Sequence, residues 1–124
     1  MITFNHTLVP ARDKRASARF YADMLGLAVS DRNATSPPGV FDVVRVGDMT
    51  LDFQNVNNFE PHHYAFAVDD EAFDLILTRI KESGLEHSAD PQHEHPGELN
   101  HWNGGRGLYF RDPNGHNLEL LTRP

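Results

Sequence analysis

Apolar and polar residues alternate over residues 2–9, with Ile2, Phe4, His6 and Leu8 on one face, which predicts a strand. The period then changes from two to about 3.6. Asp13 is placed to cap a helix with Ala16, Phe20, Met24 and Leu25 as its apolar stripe, and Gly26 is placed to end it. Residues 27–31 predict a second strand and residues 33–39, with Pro37-Pro38, a polar loop. Residues 41–46 and 49–56 predict a hairpin around Gly47-Asp48, and residues 57–61 a connector. The pattern then starts again. Residues 63–68 predict a strand, Asp69 or Asp70 a helix cap, and Phe73, Ile76, Leu77 and Ile80 the helix stripe, with Gly84 at its end. Residues 88–106 form a long polar loop, and a last hairpin turns at Asp112-Pro113-Asn114-Gly115.

This order is an internal duplication. His63 follows His6 by 57 residues, Gly84-Leu85 follows Gly26-Leu27 by 58, and Leu118-Glu119-Leu120 follows Leu51-Asp52-Phe53 by 67. The extra nine residues fall in the second loop, where insertions are tolerated. The predicted fold is α+β, with two tandem βαβββ modules, residues 1–56 and 62–124, in one domain spanning 1–124. With one helix per open sheet, each sheet keeps one free face. Leu51, Phe53, Leu118 and Leu120 take the helix side, so Asp52 and Glu119 take the free side. Two such faces make a cup lined by His6, Asp52, His63 and Glu119, a metal site in outline.

Composition narrows the function. With 39% hydrophobic and 23% charged residues, the 124-residue chain reads as globular. A net charge of −7 argues against nucleic acid and anionic membranes as partners. No signal peptide or membrane-length apolar run is visible, so a cytoplasmic protein is the expectation. There is no cysteine to serve as nucleophile or ligand. Two histidines and a carboxylate suit Fe(II), and a fourth oxygen ligand widens the choice to Mn, Ni, Co or Zn.

The chain resembles the vicinal oxygen chelate superfamily, the glyoxalase/bleomycin resistance/dioxygenase group. The resemblance rests on His6 with the run Arg19-Phe20-Tyr21-Ala22-Asp23-Met24-Leu25-Gly26-Leu27, on His63-Tyr64-Ala65-Phe66, and on the closing Asp112-Pro113-Asn114-Gly115 with Leu118-Glu119. It implies His6, His63 and Glu119 as ligands of a divalent metal, with Asp52 where the glyoxalase I type has a fourth. It further implies a small substrate that chelates the metal through adjacent oxygens. The first expectation is a glyoxalase I-like lyase or isomerase with Glu119 or Asp52 moving the proton. The alternatives are a ring-cleaving dioxygenase, a fosfomycin-type thiol transferase and a non-catalytic drug-binding protein. Free sheet edges and faces predict a homodimer.

The long loop predicts a lid over the metal, with His95 or His101 touching substrate. In Gly104-Gly105-Arg106-Gly107, Arg106 is either an anion clamp or a brace at a tight strand start. Trp102 and Tyr109 are candidates to line the pocket with Arg106 and His101. His62 is expected on the outer side, and His116, beside a turn, in solvent.

Overall fold

A computed structural model of the chain describes residues 1–30 and 39–124. The predicted polar loop, apart from Gly39, lies outside the described residues, as does Asp31 at the predicted end of the second strand. The chain divides into two compact units, Met1–Glu60 and Pro61–Pro124.

In the first unit, strands β1 (His6–Ala11), β2 (Val29–Ser30), β3 (Asp42–Val46) and β4 (Met49–Asn55) form a sheet in the order β1-β4-β3-β2. β1 runs parallel to β4, and the other pairs are antiparallel. Helix α1 (Lys14–Leu25) begins where the Asp13 carboxylate accepts the backbone N–H groups of Arg15 and Ala16. It ends at Gly26, whose φ of 73° is left-handed and costs a glycine little. The predicted stripe is wrong by about a third of a turn. Ser17, Ala18, Tyr21 and Ala22 are buried, and the Tyr21 ring packs edge-on against Phe53 at 4.8 Å. The helix is apolar around much of its circumference, so the choice of face falls to tertiary packing. Burying a ring such as Phe53 contributes about 1.5–3 kcal/mol. β1 starts later than predicted, at His6, and Val9, Pro10 and Ala11 are its buried residues.

The second unit repeats this plan. Strands β5 (His63–Ala67), β6 (His87–Ser88), β7 (Gly107–Arg111) and β8 (Asn117–Leu121) lie in the order β5-β8-β7-β6. β5 is parallel to β8. Asp69 caps helix α2 (Asp70–Glu82) through the Ala72 N–H, and Phe73, Ile76 and Ile80 are buried as the pattern predicts. The two sheets match in register. His6 pairs with Thr50 and Leu8 with Asp52 in the first; His63 pairs with Asn117 and Ala65 with Glu119 in the second. Asp52 and Glu119 thus occupy equivalent positions, each two residues after a polar residue on the same face. No helix among the described residues is long and apolar enough to cross a membrane.

Candidate metal centre

The second sheet brings His63 and Glu119 together. Leu118 and Leu120 are buried on the helix side, which turns Glu119 to the other face beside its diagonal neighbour His63. His63 Nε2 lies 3.2 Å from Glu119 Oε1, with the His63 side chain 51% exposed and that of Glu119 14%. The other ring nitrogen, Nδ1, lies 3.1 Å from the Asn117 carbonyl oxygen. A carbonyl can only accept, so Nδ1 carries the hydrogen and Nε2 of the neutral ring presents a lone pair. An ionised Glu119 is likewise an acceptor. Two lone pairs facing each other at 3.2 Å repel unless a proton or a metal cation binds both. A ring N–H donated to a backbone carbonyl is also how metal-ligating histidines are commonly oriented. The pair could give a divalent cation two donors.

Tyr109 completes this face. It pairs with Glu119 across β7 and β8. Burial, and then the Glu119 charge and hydrogen bond, push the Tyr109 phenol up to about 12. It therefore stays a donor across the physiological range. Its ring stacks with His63 at 5.9 Å and meets Trp102 edge-on at 6.2 Å. Trp102 is 52% exposed, unusual for so large an apolar ring. His101 donates from Nδ1 to the Gly105 carbonyl at 3.2 Å.

The first sheet carries the counterpart positions with different surroundings. His6 is exposed, with Nδ1 2.7 Å from Asn5 Oδ1. Asp52 is fully buried and accepts the Thr50 hydroxyl at 2.7 Å. Among the described residues, no group of three or more His, Asp or Glu side chains is gathered that could hold a metal ion. The pair His63–Glu119 is what the second sheet assembles by itself.

Arg106 does not sit with them. It precedes Gly107, so its side chain takes the helix side of the sheet. There its guanidinium reaches Asp74 at 2.7 Å and Asp70 at 3.0 Å and lies 4.4 Å over the Phe73 ring. These contacts make it a brace between α2 and β7, and the anion clamp is withdrawn. The flanking glycines have a steric reason. A Cβ at Gly105 would meet Thr122 Oγ1 at 2.6 Å, and one at Gly107 would meet Asn100 Oδ1 at 2.6 Å.

Two further histidines are placed by the structure. His62 bonds the Tyr64 hydroxyl at 2.7 Å, away from His63. His116 is fully buried, against the expectation of solvent, because it shares the phase of Leu118 and Leu120. Its Nδ1 accepts the His62 N–H at 2.8 Å and ties the closing turn to β5. Sequence reasoning passed over Asn117. Its position two residues before Glu119, on the same face, was the available signal.

Comparison with known proteins identifies the family. A sequence profile of the Glyoxalase/Bleomycin resistance protein/Dioxygenase superfamily matches residues 3–120. The solved structure of oxidase ChaP-H2 is 52% identical, with a TM-score of 0.93, covering 99% of this chain and 94% of that one. Oxidase ChaP-H1 is 53% identical, with a TM-score of 0.90, covering 100% and 98%. The glutathione transferase FosA of Serratia marcescens is 28% identical over 95% of this chain and 79% of its own length. The fold, its internal repeat and these matches together place the chain in the glyoxalase/bleomycin resistance protein/dioxygenase superfamily.

Proposed function

We propose that this protein is a metal-dependent oxidase acting on a small molecule that presents two adjacent oxygens. The observation that carries the reading is the His63–Glu119 pair, whose 3.2 Å approach a shared proton or a metal ion would satisfy. His6 holds the matching register position of the first sheet, and imidazole and carboxylate donors of this kind suit Fe(II). When bound, such an ion supplies Lewis-acid and redox chemistry to the chelated oxygens. Tyr109 packs beside Glu119 and against the His63 ring, and the exposed Trp102 ring, next to His101 in the chain, is available to the substrate.

The oxidase reading is preferred to the glyoxalase-type isomerisation on two grounds. The relatives that match the whole chain at 52% and 53% identity are named oxidases. Asp52, the fourth donor and base of the isomerase reading, is buried and holds the Thr50 hydroxyl.

The test is anaerobic titration with Fe(II), followed by oxygen uptake with a panel of aromatic vicinal diols and hydroxyketones. The expected result is a stoichiometric complex, lost in His63→Ala and Glu119→Ala, and oxygen uptake that requires it. A chain that retains no Fe(II), Mn(II), Ni(II), Co(II) or Zn(II) would overturn the metal centre. Glutathione consumption without oxygen uptake would move the protein to the transferase group.

A further inference from the structure

The loop between β6 and β7 contains a residue in a costly conformation. His93 has φ of 58°, in the left-handed region where a non-glycine residue needs compensation from its surroundings. Its side chain supplies that compensation. Nε2 lies 2.8 Å from Asn117 Oδ1, and the Asn117 amide donates to the Pro91 carbonyl at 3.0 Å. The loop and the first residue of β8 are thus joined by two hydrogen bonds.

Asn117 stands at the centre of the candidate site. Its carbonyl accepts His63 Nδ1, and its N–H donates to the His62 carbonyl at 2.8 Å. The repeat makes the consequence visible. In the first sheet the equivalent residue, Thr50, turns its hydroxyl onto the carboxylate two residues later, Asp52. In the second sheet the equivalent side chain is held by His93 and Pro91, and Glu119 faces His63 instead.

We infer that His93 is a positioning residue for the metal centre: its bond to Asn117 keeps the asparagine amide off Glu119 and fixes the carbonyl that orients His63. The inference rests on the metal reading given above. The hydrogen bond of His93 is to Asn117, and the proposed effect passes through that residue.

The test is Mn(II) affinity, measured by calorimetry on the full chain with no substrate present. His93→Gly removes the side chain while suiting the positive φ, so the loop backbone keeps its conformation. It should weaken Mn(II) binding by about tenfold, the lower end of losses on removing groups that support a metal ligand. His93→Gln, with an amide donor near the position of Nε2, should recover most of that loss. Asn117→Thr, which copies the first sheet, should weaken binding at least as much as His93→Gly. In each variant the melting temperature of the metal-free protein should stay near that of the parent.

Mn(II) affinity within twofold of the parent in His93→Gly, with binding lost in His63→Ala and Glu119→Gln, would overturn the positioning role and leave the metal centre standing. Equal weakening in the Gly and Gln variants, with a lower metal-free melting temperature, would reduce His93 to loop scaffolding and overturn it too. Unchanged binding in His63→Ala and Glu119→Gln would discard the metal centre and the positioning role with it.

Discussion

Asp52 and Glu119 show how far a carboxylate's neighbours decide its chemistry. Both sit at the same register position, yet one is closed off by a hydroxyl and the other faces an imidazole. Their orientation was legible in the sequence, because period-two alternation against Leu51, Phe53, Leu118 and Leu120 leaves one face for each. Their hydrogen-bond partners were not, because these depend on cross-strand register and on a loop. Arg106 teaches the same lesson from the other side. Its phase with Leu108 and Phe110 already pointed to the helix, but the glycines around it drew attention to an anion site. The observed contacts predict a stability role. Asp70 and Asp74 are largely exposed, so each ion pair is worth about 0.2–1 kcal/mol, and the stack on Phe73 adds about 0.5–1. Arg106→Ala should therefore cost on the order of 1–2 kcal/mol in denaturant unfolding. Arg106→Lys should restore only part of this, because the ammonium lacks the planar fork. A metal titration of both variants should match the parent, and a large loss of affinity would return Arg106 to the site.

At the scale of elements, caps and glycines were the reliable signals. Asp13, Gly26 and Asp69 stand where the sequence put them, since each satisfies a local backbone need that no distant packing changes. The face of α1 was not reliable, because only contact with Phe53 selects among its apolar sides. The long second loop is more ordered than a simple lid. It is pinned by bridges between Ser88 and Pro96 and between Asn100 and Gly107. Asp90 folds its first part. The carboxylate accepts the Ser88 hydroxyl at 2.6 Å and the N–H groups of Glu94 and His95 at 3.0 Å. The Ser88 hydrogen bond, with the two backbone N–H donors and the nearby His95, lowers Asp90 from 3.8 to about 2. A carboxyl group lowered in the folded state stabilises above its unfolded value. That contribution is lost as pH falls through the folded one. The loop should hold down to about pH 4 and loosen between there and pH 2. Amide exchange of Glu94 and His95, followed against pH, will show this. In Asp90→Asn their protection should already be reduced at neutral pH, and full protection in that variant would refute the role given to Asp90.

For the whole molecule, the repeat is the feature that sequence alone resolved best. The offsets of 57, 58 and 67 residues predicted which strands correspond, and the pairing of His6 with Thr50 and of His63 with Asn117 has that correspondence. The repeat also divides the candidate ligands, with His63 and Glu119 in one unit and His6 in the other. If a single metal ion draws on both repeats, its binding must depend on each. A ligand that binds only the native state raises the melting temperature as its concentration rises. His6→Ala should then weaken that dependence on Mn(II) as strongly as His63→Ala does. The double variant should lose little beyond either single change, since ligands of one ion are not additive. Both substitutions exchange exposed rings and leave the buried cores untouched, so the metal-free melting temperature should hardly move. A His6→Ala protein whose metal-induced shift equals that of the parent would confine the centre to the second unit, and His6 would leave the ligand set.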